Sequence, residues 1–120
     1  MAYEIPGFKF TLPANADLSS SQYLFAVVTS GNAAVAGSGV DVAGVICNKP
    51  TSGKATEIQV NGIAKVKAGA AFSVGAKLMS NGSGQAITAT ATNKAVGIAL
   101  KAAGGANEIV SVELKDLGTQ

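Results

Sequence analysis

Histidine, arginine and tryptophan are absent from this 120-residue chain, and cysteine occurs once. Without histidine, and with its one thiol in the apolar run Val45-Ile46-Cys47, the chain cannot build the common zinc sites or a Ser-His-Asp triad. A single cysteine excludes an internal disulfide, and this one reads as a small buried thiol. All nine cations are lysines, scattered among seven carboxylates for a net charge of +2. Nucleic-acid readers concentrate basic charge and use arginine for forked contacts to phosphate and guanine, so nucleic acid is not an expected partner. Two Tyr and four Phe are too few for base-stacking platforms. No apolar run approaches the ~20 residues of a membrane-spanning helix, so no membrane is expected either. The opening MAYEIPGFKF lacks the basic-then-apolar order of a signal peptide, which fits synthesis in a reducing cytoplasm.

The remaining reactive side chains form no recognisable motif. Asp17, Asp41, Glu57, Glu108, Glu113 and Asp116 lie in separate segments, which reads as a solvated face rather than an acid–base pair. No Ser-x-x-Lys stands in a supporting context. Gly53-Lys54 fails as a phosphate loop, because Asn48 stands where the first glycine belongs and Ala55 where the magnesium-binding hydroxyl belongs. Gly37-Ser38-Gly39 fails as a dinucleotide fingerprint, with Val42 at the third glycine position. No catalytic residue, cofactor or metal is therefore expected.

What the chain does have is small residues and alternation. It holds 22 Ala and 15 Gly against 30 residues of Leu, Ile, Val and Phe, so its core is apolar but thin. Glycines at 31, 37, 39, 44, 69 and 75 break every Ala-rich stretch that could become a helix. Period-2 patterns recur instead: Phe8-Phe10-Leu12, Val40-Val42-Ile46, Ile87-Ala89-Ala91, Val96-Ile98-Leu100 and Val110-Val112-Leu114. Asn81-Gly82-Ser83-Gly84 predicts a turn, while Lys49–Lys54 and Lys101–Asn107 predict exposed connections. Asn61-Gly62 suits a hairpin, but that register would mix Lys65 into the apolar face, so a long strand bent or bulged at Gly62 is preferred. Tyr23–Thr29 is apolar on both parities and predicts a strand covered on both faces. The sum is an all-β barrel- or sandwich-like (β-tulip-like) meander of seven to nine strands with little or no helix.

Residues 1–20 differ from the rest, with two of the three prolines and three of the six aromatics. They read as an extended arm ahead of one β-rich domain at 21–120, although Phe8–Leu12 also suits the domain's own first strand. Tyr3, Ile5, Phe8, Phe10 and Leu12 are the candidate anchors of such an arm. Tyr23, Leu24, Phe25 and Val28 are candidates for a contact between subunits, since a thin core and a doubly apolar strand both invite cover.

The order of GVDVAGVI (39–46), EIQVNGIAKVKA (57–68), AAFSVGAKLM (70–79), TATATNKAVGIAL (88–100) and a closing strand at 108–114 resembles the decoration, or cement, proteins of tailed-bacteriophage capsids. Ala76, after the glycine of Gly75-Ala76-Lys77-Leu78, departs mildly from the small-to-acidic residue common there. The resemblance covers roughly residues 25 to 115. It implies a noncatalytic protein made in the host cytoplasm that binds the outer surface of an expanded head. It further implies a homotrimer whose N-terminal arm reaches the major capsid protein. A carbohydrate- or surface-binding module of a fibre or adhesin is the alternative, disfavoured by the missing tryptophan.

Overall fold

The computed structural model describes residues 4–120, which form eleven strands and, among the described residues, no helix. The strands are β1 (Ile5–Pro6), β2 (Lys9–Pro13), β3 (Phe25–Thr29), β4 (Asn32–Val35), β5 (Gly44–Ile46), β6 (Ala55–Gln59), β7 (Gly62–Lys67), β8 (Lys77–Ser80), β9 (Ala86–Thr88), β10 (Lys94–Ala99) and β11 (Ile109–Thr119). They make two antiparallel sheets, one ordered β2-β6-β5-β3-β4 and the other β1-β7-β11-β10-β8-β9. The all-β expectation holds, in the form of a small two-sheet sandwich. Eleven strands exceed the expected number because several are only two to four residues long.

Local chemistry explains the turns. Ser30 and Gly31 both take positive φ and close the two-residue hairpin between β3 and β4, where Thr29 pairs with Asn32. Asn81-Gly82-Ser83-Gly84 forms the expected turn: the Asn81 side-chain oxygen accepts from the Ser83 and Gln85 amides, and Ser80 pairs with Ala86. At Asn61-Gly62 there is no hairpin. The chain bends at Gly62, at φ +86°, but leaves the first sheet after Gln59 and enters the second at Gly62. The inward parity of Ile58, Ala64 and Val66 survives the crossing, whereas Val60 is left in solvent.

The two sheets trace the same path. Without β1 the second sheet reads β7-β11-β10-β8-β9, which matches β2-β6-β5-β3-β4 strand for strand. Each curls until its last strand meets the end of its first through one parallel bridge, Ala14 to Ala33 and Ala68 to Ala86. In each the next residue donates to that bridge, Asn15 N to Ala33 O and Gly69 N to Ala86 O. Gly53 N bonds Ala14 O as Asn107 N bonds Ala68 O, and both donors have positive φ. Tyr23 N bonds Ile46 O as Gly75 N bonds Ala99 O, again with positive φ at both donors. The pairs Val45–Gln59 and Ile98–Glu113 occupy equivalent register positions.

Two apolar clusters follow from this layout. Ala14, Leu18, Ala26, Ala33, Ile46 and Ile58 fill the first curl, with Phe10, Leu12 and Val35 packed against them. The larger cluster fills the second curl with Ala64, Val66, Phe72, Leu78, Val110, Val112 and others. It also takes in Phe25 and Val45, which project from the far face of the first sheet. Tyr23–Thr29 is thus covered on both faces only in part: Phe25 and Ala26 are fully buried on opposite sides, while Val28 and Thr29 are exposed. A register shift between Ala95 and Gly97 splits another expected set, putting Val96 in the core and Ile98 on the outer face.

Candidate docking surface

The N-terminal segment crosses between the sheets alongside the Gln59–Gly62 crossing. Ile5 pairs with Ile63 in the second sheet, and Lys9 pairs with Gln59 in the first. Between them Gly7 N donates to Asn61 O, Phe8 N to the Asn61 side-chain oxygen at 2.6 Å, and Val60 N to Phe8 O. A side chain at Gly7 would run into Asn61, so the close approach needs glycine there. This backbone lattice holds two large side chains in solvent, Ile5 at 59% and Phe8 at 64% exposure. Exposed apolar side chains on a fixed backbone lose little entropy on binding, which suits anchors.

Beside Val60 lies an open groove of about 210 Å³, lined by Asp41, Val42, Val60, Val96, Leu114 and Asp116 among others. Its walls come from both sheets, and it could seat a small apolar side chain. Two carboxylates distant in sequence, Asp41 and Asp116, are among its lining residues. The Asp116 carboxyl is held below the ordinary range, first by the Gly118 backbone N–H and then by Lys94. A general acid needs the opposite shift. Among the described residues no three His, Cys, Asp or Glu side chains gather as a metal site would require. Cys47 is half-buried, its thiol facing the Val45 carbonyl at 3.4 Å, and burial pushes its pKa up, away from reactivity.

The residues expected at interfaces divide. Ile5 and Phe8 face solvent, Phe10 and Leu12 are half-buried against the first cluster, and Tyr3 lies outside the described residues. Residues 9–13 form an edge strand, and Ala14 and Leu18 behind it are buried. Leu24 and Phe25 are buried within the chain, where Phe25 N donates to Gly84 O and Lys67 N to Tyr23 O, joining the sheets. Val28, at 51% exposure, remains available. Sequence reasoning missed the groove and the exposed Val60, because strand parity does not reveal where a chain leaves one sheet for another. No helix of the described residues is long and apolar enough to cross a membrane.

Compared with known families, residues 11–114 match the phage cement protein family. The chain belongs to that family. A cement protein is a structural component of the phage particle, and the expected role in the virion accords with that membership. Among solved structures, the N base of the head fiber protein gp8.5 of bacteriophage phi29 superposes with a TM-score of 0.75 at 18% identity. The match covers 90% of this cement protein and 93% of the fiber base, and it shows a shared fold. No curated protein matches the sequence.

Proposed function

We propose that this protein decorates the outer surface of an expanded phage head and stabilises it noncatalytically by bridging major capsid subunits, as a homotrimer. The observation that carries this reading is the family match across residues 11–114, nearly the whole folded region. Surface chemistry supports it: Ile5 and Phe8 stand exposed on a fixed N-terminal segment. Ile5 and Phe8, at the start of the segment read as an arm, are the proposed anchors on the major capsid protein. Val28 is the proposed contribution of β3 to the trimer. Binding energy available only from the assembled shell stabilises that shell by mass action.

Co-sedimentation of purified protein with expanded and unexpanded capsids tests this reading. Binding to expanded capsids alone is expected, and decorated particles should retain DNA at temperatures where bare ones release it. Equal release from both would remove the stabilising role. Because Ile5 and Phe8 are exposed, Ile5→Ser with Phe8→Ser should leave the thermal transition in place and weaken binding. Unchanged binding by that variant would rule out the segment as the anchor.

A further inference from the structure

The row Lys9–Gln59–Val45–Phe25 runs straight across the first sheet, each residue the register partner of the next. By this row the first sheet seats on the second. Phe25 and Val45 are buried in the large cluster, and the buried Gln59 donates its amide to the Asn61 and Ile63 carbonyls. The strand-for-strand correspondence carries the row to Ile63–Glu113–Ile98–Lys77 on the second sheet, again partner to partner. There β1 adds Ile5 beside Ile63. A stripe of five residues on five strands results, spanning roughly 19 Å at the usual strand spacing. It lies on the outer face, since Ala64, Val112 and Leu78 alternate with it into the core. Ile5 and Lys77 are exposed, and Ile63, Glu113 and Ile98 are half-buried.

The same face that is an interface in the first sheet is therefore open in the second, with three isoleucines flanking one carboxylate. Among the described residues Glu113 enters no ion pair. Covering it with a purely apolar surface would desolvate a charge without compensation, so a fitting partner brings a cation. A second copy of this chain fits poorly. The internal seat uses the Lys67 N–H and the Phe25 side chain, and their counterparts are Pro13, which has no N–H, and Lys77.

We propose that the stripe Ile5–Ile63–Glu113–Ile98–Lys77 is a docking face for an apolar patch of the coat protein carrying one Lys or Arg over Glu113. This assignment rests on the capsid-decoration reading and extends its N-terminal anchor, through Ile5, across the second sheet. Co-sedimentation with expanded capsids, paired with sedimentation velocity of the protein alone, tests it on Ile98→Lys, Glu113→Lys and the near-isosteric Glu113→Gln. The two lysine variants should bind about tenfold more weakly or worse, and Glu113→Gln should lose part of the affinity and some of its salt dependence. The thermal transition of Glu113→Gln should match the parent. Parental binding by all three variants overturns the proposal while leaving decoration intact. A changed sedimentation coefficient of the lysine variants without capsids would assign the stripe to a second copy and overturn it as well. Failure of the parent protein to bind any capsid would overturn both readings.

Discussion

The two curled sheets follow one path but fill it differently. The first closes its interior with large side chains, Phe10, Leu12, Ile46 and Ile58. At the equivalent places the second has Ala64, Val66, Ala99 and Val112, all smaller. Part of the missing volume is supplied by Leu78, which stands where the first sheet has Ala26, and the rest from outside, by Phe25 and Val45 of the first sheet. Interiors must reach a common packing density, and the chain meets that requirement once from within and once by borrowing. The first sheet is self-contained, and the second is completed by its neighbour.

The largest expected effect breaks the borrowing. Phe25→Ala should cost about 3–5 kcal/mol, as expected for a fully buried aromatic. Lys77→Ala, at the equivalent exposed position, should stay within about 0.5 kcal/mol. Urea denaturation of both measures the contrast, and similar losses would contradict it. Next come Gly44 and Gly97, equivalent glycines where β5 meets β6 and β10 meets β11. A Cβ at Gly44 would run into the backbone carbonyl of Gln59, which cannot move aside. At Gly97 it would meet a Val112 methyl at 2.7 Å and the Glu113 backbone carbonyl at 2.9 Å, a milder overlap than at Gly44. Gly44→Ala should therefore cost about 3 kcal/mol and Gly97→Ala about 1–2 kcal/mol, read as midpoint shifts in urea.

A smaller change sharpens the correspondence by making the sheets more alike. Among the described residues the buried Thr56 hydroxyl has no hydrogen-bond partner, whereas the equivalent residue in the second sheet is Val110. Thr56→Val should stabilise by about 1 kcal/mol, and a loss of stability would mean that the hydroxyl has a partner. Smallest is the Lys9–Glu57 pair at 2.9 Å, whose counterparts Ile63 and Ser111 do not ionise. The hydrogen bond that the Lys9 ammonium donates to the Glu57 carboxylate raises the Lys9 pKa above its ordinary value of 10.5. A raised ammonium pKa stabilises below the unfolded value, and that contribution is lost as pH rises through the folded one. Both groups are partly exposed, so Glu57→Gln should cost under about 1 kcal/mol near neutrality. It should also flatten the decline in stability above about pH 10.5 in a pH series of denaturation midpoints.

Much of the fold was legible in alternation. Val110-Val112-Leu114 and Phe10-Leu12 point inward as their parity requires, and the Asn81 turn sits where its residues place it. Alternation misled where backbone geometry interrupts it. The bulge at Ala95–Gly97 separates Val96 from Ile98, and the Val40–Ile46 set shrinks to a three-residue strand with Val40 in solvent. The correspondence between the sheets was invisible, because equivalence resides in hydrogen bonds that most residue types can make. Ala14/Ala68, Ala33/Ala86 and Gly44/Gly97 keep their identity, but Phe25/Lys77, Thr56/Val110 and Tyr23/Gly75 do not. The anchors Ile5 and Phe8 were legible as large apolar residues in a small-residue chain. The outer stripe was not, since register across five strands is long-range information.

The paired crossings of residues 5–9 and 59–63 have a mechanical consequence. A single connection between two sheets would straighten under tension and let them part. Here two antiparallel segments cross together, bound by the Gly7–Asn61, Phe8–Asn61 and Val60–Phe8 hydrogen bonds and continuing into paired strands on either side. A pull that separates the sheets along this strap loads those bonds in shear, so they must fail together rather than unzip one by one.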